Sequence, residues 1–198
     1  MGAMDGGLKQ ILYLHGFASS PQSWKAIALR DALAARGRAD RLDTPEIPWP
    51  PDAAMATLEA RVAAHVKAGV TLTLAGSSLG GYYASWLAER HDLKAVLINP
   101  AVAAHLTLGR YLGAQHNLYT GETLSVEAAH LDRLRDFAVE TPTPERYLLL
   151  LETGDEVLDY HLAEAHYAGA QQRVCAGGDH RFTRFPEFIP QILEFAGL

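Results

Sequence analysis

Cysteine is almost missing from this chain: Cys175 stands alone among 198 residues. A single thiol excludes an internal disulfide and fits a reducing cytoplasm. Zinc sites built on cysteine pairs are excluded with it. Basic charge is scarce too. Lys and Arg number 17 against 23 Asp and Glu, the net charge is −6, and no Lys/Arg-rich run occurs. A nucleic-acid partner therefore has little electrostatic support. Long apolar runs are lacking; stretches such as Tyr147 to Leu151 fall far short of a membrane span. No basic segment leading into an apolar one opens the chain, so no secretory signal is read and a cytoplasmic location is expected. No H-E-x-x-H occurs, and His161 and His166 are five positions apart and do not share a helix face. No metal is expected. The glycines from Gly76 to Gly81 lack the G-x-G-x-x-G order, and no lysine follows as a phosphate loop requires. No nucleotide cofactor is expected either.

What is present is enough apolar residue, 48% of the chain, for one well-buried domain. Met1-Gly2-Ala3-Met4-Asp5-Gly6-Gly7 reads as a cloning leader, leaving a single domain over 8–198. Along it, short apolar strands alternate with helical segments, which predicts an α/β three-layer sandwich: a mostly parallel sheet of about six strands, helices on both faces. Gln10 to Leu14 is the first strand. Ser20-Pro21 predicts an N-cap with proline at the first helical position, and Gly37 ends that helix. Ala39 to Leu42 is a weaker strand and Thr44 to Pro51 a proline-rich loop. Asp52 is placed to cap a helix with the core stripe Met55, Leu58, Val62 and Val66 before Gly69. A strand over Val70 to Leu74, a helix, and a strand over Leu93 to Ile98 follow.

From Asn99 to Glu145 the alternation stops, with one helix expected from Val126 to Phe137. An insertion of this length in an α/β domain is more often functional than idle, so about 100–145 is expected to form a small lid. The alternation then resumes: a strand over Tyr147 to Leu151, a helix from about Tyr160 to Tyr167, a strand over Gln172 to Cys175, and a last helix interrupted early by Pro190.

The most informative segment is Gly76-Ser77-Ser78-Leu79-Gly80-Gly81, between a buried strand and a helix with apolar residues at Leu79, Tyr82, Tyr83, Trp86 and Leu87. A G-x-S-x-G pattern at a strand-to-helix turn exposes a serine hydroxyl above the sheet edge, which makes Ser78 the candidate nucleophile. Small flanking residues avoid clashes at so tight a turn. A serine hydroxyl needs a base to take its proton. Imidazole suits this near neutral pH, and position selects among nine histidines. Active residues of an open parallel sheet sit in loops at the carboxyl ends of its strands, where His180 falls. His65, His91, His130, His161 and His166 fall on expected helices, and His105 and His116 in the expected lid.

An orienting carboxylate should follow the strand ending at Leu151. Asp155 fits, with Asp159 as a competitor that is also placed to cap the next helix. The order Ser78, Asp155, His180 is that of the α/β-hydrolase fold rather than of trypsin-like or subtilisin-like proteases. Two backbone N–H groups should stabilise an oxyanion: Leu79 at its helix N-terminus, and Phe17 after the first strand, with Ala18 as the neighbouring alternative. His15 is a candidate substrate contact, though better suited to shaping its loop. Tyr82, Tyr111 and Tyr119 are candidates to roof the substrate, or to pack the core.

These segments together resemble the α/β-hydrolase superfamily and, more narrowly, the small bacterial YqiA-type esterases. The resemblance runs through Leu14 to Phe17 (LHGF), Gly76 to Ala88 (GSSLGGYYASWLA), Asn99 to Val102 (NPAV), Tyr119 to Glu122 (YTGE), Thr153 to Tyr160 (TGDEVLDY) and Gly177 to His180 (GGDH). It implies hydrolysis of small carboxylic esters or acyl thioesters without a cofactor, with Ser78, Asp155 and His180 at the catalytic positions. Position 179 is Asp here, where Asn is common in relatives, so a second carboxylate stands beside the base. The same scaffold also carries amide, lactone and carbon–carbon cleavage, or ligand binding with little turnover.

Overall fold

The computed structural model describes residues 7–117 and 119–198. Apart from Gly7, the expected leader lies outside the described residues. The strands are β1 (Lys9–Leu14), β2 (Leu42–Asp43), β3 (Thr71–Ser77), β4 (Lys94–Ile98), β5 (Gly113–His116), β6 (Thr123–Val126), β7 (Tyr147–Glu152) and β8 (Gln171–Cys175). The helices are α1 (Trp24–Ala34), α2 (Pro51–Lys67), α3 (Leu79–His91), α4 (Ala104–Thr107), α5 (Ala128–Arg135), α6 (Tyr160–His166) and α7 (Phe185–Phe195). Six strands pair in parallel in the order β2-β1-β3-β4-β7-β8, while β5 and β6 form a separate antiparallel hairpin.

Alternation along the strands divides the core in two, because successive side chains point to opposite faces. One face carries Leu12, Leu14, Leu74, Leu97, Leu149 and Leu151, covered by Leu58 and Val62 of α2, Tyr83 and Leu87 of α3, and Ala163 of α6. The other carries Ile11, Tyr13, Val96, Ile98, Leu148 and Leu150, covered by Leu29 and Leu33 of α1 and Ile189 and Ile192 of α7. All six residues of β7 are buried, as a strand covered on both faces requires. Each fully buried Leu or Ile contributes roughly 2 kcal/mol of transfer free energy. The architecture is the three-layer α/β sandwich expected from the alternation.

Several boundaries differ from the sequence-based expectation. α1 begins at Trp24 rather than after Ser20, because the Ser20 hydroxyl accepts the Gln22 N–H (3.1 Å) and its carbonyl the Ser23 N–H (3.0 Å), closing a separate turn first. Asp52 does not cap α2. Pro50 precedes the helix, Pro51 takes its first position, and the Asp52 carboxylate pairs with Arg133 of α5 at 2.7 Å. Residues 39–41 are a single 3-10 turn ahead of the short β2. α7 runs through Pro190, since the buried side chains Phe185, Ile189, Ile192 and Leu193 hold it to the sheet despite the missing N–H. The insertion holds more structure than one helix. α4, the β5–β6 hairpin and α5 lie within it, and Val126 belongs to β6 rather than to the helix.

Candidate active site

The site is assembled from loops at the carboxyl ends of β1, β3, β7 and β8. Ser78 follows β3 directly, with φ 56° and ψ −120°, a strained conformation for a residue with a Cβ that costs about 1–3 kcal/mol. It is held by backbone contacts. Its N–H donates to the Ile98 carbonyl (3.1 Å), and its carbonyl accepts from Gly81 (3.0 Å), Tyr82 (3.2 Å) and Ala101 (3.2 Å). The glycines explain how the turn closes. A Cβ at Gly80 would run into the Leu14 carbonyl, and one at Gly76 into the Gly80 backbone.

His180 lies five residues beyond β8. Its Nδ1–H donates to the Asp155 carboxylate at 2.8 and 3.0 Å, which leaves Nε2 to accept from the Ser78 hydroxyl at 3.1 Å. Asp155 also accepts the Val157 and Leu158 N–H groups (2.9 and 2.8 Å), and its side chain is only 2% exposed. The competing carboxylates are elsewhere: Asp159 caps α6 through the His161 N–H, and Asp179 makes no hydrogen bond to the His180 ring.

The loop that carries His180 is fixed by residues from distant parts of the chain. Asn99, at the end of β4 and 2% exposed, donates through Nδ2 to the Asp179 (3.1 Å) and His180 (3.4 Å) carbonyls and accepts the Glu152 N–H (3.0 Å). The fully buried Glu152 carboxylate accepts the Asp179 N–H at 2.8 Å and pairs with Arg184 at 2.7 Å. Gly178, at φ +78°, packs against that carboxylate where any Cβ would collide with it. Glu156 accepts the His180 N–H at 2.9 Å, and this bond is the main reason its pKa lies below the ordinary value.

A cavity of about 390 Å³ opens above Ser78 and His180, and Phe17, Leu79, Tyr111 and Tyr119 are on its wall. Its volume suits a small ligand. Among the described residues, neither the Phe17 nor the Leu79 amide donates to a protein acceptor. Ala18, beside Phe17, takes φ +48°. The Phe17 ring packs on Tyr111 and Trp49, with centroids 5.9 and 5.3 Å apart.

Two candidate substrate contacts lie elsewhere. Tyr82 is buried in the core and donates its hydroxyl to the Leu134 carbonyl at 2.6 Å, because its place on α3 faces the sheet and α5 rather than the cavity. His15 is 5% exposed and is not on the wall of the Ser78 cavity, although the adjoining Gly16 is. Its Nδ1–H donates to Gly16 O (3.0 Å) and Nε2 accepts the Ile47 N–H (3.3 Å), with burial holding its pKa below the ordinary value. It braces the β1 loop. The helix histidines are mostly paired, as His65 with Asp43 and His91 with Glu59, both at 2.7 Å. Among the described residues no group of three or more His, Cys, Asp or Glu side chains is placed to hold a metal, and no helix is long and apolar enough to cross a membrane.

A family model covering residues 10–197 matches this sequence. The chain belongs to the Uncharacterised protein family (UPF0227). This UPF0227 member has the fold of the α/β-hydrolase superfamily. It superposes on a protein of Agrobacterium vitis S4 with a TM-score of 0.74 at 18% identity, over 94% of this chain and 87% of that one. It superposes on Est1E of Butyrivibrio proteoclasticus with a TM-score of 0.71 at 16% identity, over 97% and 90%. Mouse alpha/beta hydrolase domain-containing protein 10 gives a TM-score of 0.70 at 16% identity, over 100% and 92%.

Proposed function

We propose that this UPF0227 protein is a serine hydrolase that cleaves small carboxylic esters or acyl thioesters through a covalent acyl-enzyme. One observation carries the reading: a continuous hydrogen-bond chain from the Ser78 hydroxyl through His180 to a buried Asp155, at the floor of a cavity of about 390 Å³. In the first step Ser78 Oγ attacks the substrate carbonyl carbon while His180 Nε2 takes the hydroxyl proton. Asp155 keeps the other ring nitrogen protonated and steadies the imidazolium. The carbonyl oxygen gains negative charge and is stabilised by the Phe17 and Leu79 amides, which have no acceptor among the described residues. The C–O or C–S bond then breaks, and the leaving group takes the proton from Nε2. In the second step water attacks the acyl-enzyme with His180 again as base, releasing the acid and free Ser78.

Segment 100–145 serves as the lid in this reading. It supplies Ala104, Leu108, Tyr111 and Tyr119 to the cavity wall. Asn117 fixes it to the oxyanion loop by donating to the Ser19 carbonyl at 3.0 Å. The low-identity esterase likeness agrees with this chemistry but shows the fold alone. The test is hydrolysis of short p-nitrophenyl esters and acyl thioesters by the purified protein. Turnover is expected, and Ser78→Ala should lower kcat/KM by about 10⁴-fold or more. Equal rates for the two proteins would overturn the reading.

A further inference from the structure

The Ser78 cavity contains a cation for which the mechanism has no use. Lys25, in the first turn of α1, is only 8% exposed and yet lines the cavity. Arg181, next to His180, lines the same cavity. Among the described residues, neither forms an ion pair or side-chain hydrogen bond. The carboxylates near Lys25 are Asp155, Glu152 and Asp179. Asp155 is taken up by His180 and two amides, and Glu152 by Arg184 and the Asp179 amide. Asp179 attracts the ammonium only from beyond ion-pair distance. Burial pulls the Lys25 ammonium down to about 8, helped by repulsion from Arg181 and opposed by Asp179, Glu152 and Asp155. At neutral pH it still carries its charge. The Lys25 ammonium lies 5.3 Å from the Trp24 ring centroid, a cation–π contact that offsets only part of its desolvation. Two cations without a counter-ion among the described residues, one of them largely desolvated, form a wall that a ligand anion completes.

We propose that Lys25 and Arg181 form a subsite for an anionic group, a carboxylate or phosphate, carried by the ester that Ser78 attacks. The proposal rests on the serine-hydrolase reading above and narrows its substrate to esters that carry an anionic group. The anion sits on the acyl side or on the leaving group, and matched substrates separate the two. Mono-p-nitrophenyl glutarate against p-nitrophenyl valerate tests the acyl side. 4-Carboxyphenyl butyrate against phenyl butyrate tests the leaving side. In one of the pairs the anionic ester should have at least a tenfold higher kcat/KM. That ratio should fall to within about twofold of unity in Lys25→Met, survive in Lys25→Arg, and decline in the native protein as pH rises through about 8. Methionine fills the lysine's space without its charge, so this variant should fold.

A second readout needs no turnover: calorimetric titration of Ser78→Ala with monomethyl glutarate and with inorganic phosphate. At least one should bind, and about tenfold more weakly when Lys25→Met is added. Fluorophosphonate labelling of Ser78 together with no anionic preference and no Lys25-dependent binding would overturn the proposal. Lys25-dependent binding in a protein that fluorophosphonate does not label would leave the anion site standing and remove the serine-hydrolase reading instead.

Discussion

Ser78 and His180 meet at 3.1 Å, but the molecule holds them there by different means. The serine sits on a turn made entirely of backbone contacts, closed by glycines that let the first turn of α3 touch the end of β1. The histidine sits on a loop pinned by side chains from other strands: Asn99 at the end of β4, Glu152 at the end of β7, and Arg184 beyond the loop itself. A steric turn has one solution, whereas a polar clamp can be loosened one bond at a time. The position of Ser78 should therefore respond to substitution almost as a switch, and that of His180 by degrees.

Gly80→Ala should produce the largest effect. The new Cβ meets the Leu14 carbonyl, backbone that cannot give way, so the elbow must shift or the protein fail to fold. Soluble Gly80→Ala protein is expected to lose at least about 10²-fold in kcat/KM, as misplaced reacting groups do, or not to fold at all, which circular dichroism would separate. Near-native activity in a folded Gly80→Ala protein would break the comparison on the serine side.

Asn99→Ala should be graded. It removes two donors to the His180 loop and leaves the Glu152 N–H unpaired, at a cost to stability of about 2 kcal/mol. Activity should drop roughly 10- to 100-fold with KM little changed, because the base is displaced rather than the substrate. Asn99→Asp keeps the acceptor for Glu152 but turns a buried carboxylate oxygen toward two carbonyls, so it should be at least as harmful as Asn99→Ala. A drop as steep as that of Gly80→Ala would show His180 to be held as rigidly as Ser78.

The change of opposite sign belongs to Lys25→Met. Its folded pKa of about 8 lies below the ordinary value of 10.5. Burial therefore disfavours the ammonium, and this cost is fully present below pH 8. Stability is regained as pH rises from 8 to 10.5, where the unfolded chain binds the extra proton. Lys25→Met should gain up to about 3 kcal/mol at pH 7. Thermal melts at pH 7 and pH 10 should show that advantage shrinking, and an advantage unchanged with pH would mean that the charge is not its source.

The same contrast explains what could be read from sequence. The strand-to-helix turn at Ser78 is local, so its glycines, the apolar run before it and the helix stripe after it identify it within a dozen residues. Asp155 and His180 were legible as polar residues just past apolar strands. The roles of Asn99 and Glu152 were not, because their partners lie about 80 and 27 positions away; Asn99 stood out only as the start of the NPAV segment. Tyr82 was open between the cavity and the core, and its place one helix turn beyond Ser78 puts it in the core. Lys25 reads as an ordinary helix lysine, and only the arrangement of three elements reveals its burial. The β5–β6 hairpin escaped because Gly113-Ala114-Gln115-His116 has little β-branched or aromatic character.

The central claim is that Ser78 is a nucleophile driven by His180. Fluorophosphonate labelling followed by peptide mass analysis tests it most directly. The expected result is one adduct per chain, located on Ser78, absent in Ser78→Ala and formed at least a hundredfold more slowly in His180→Ala. An adduct on another residue, or a Ser78 adduct that forms at the same rate without His180, would contradict it.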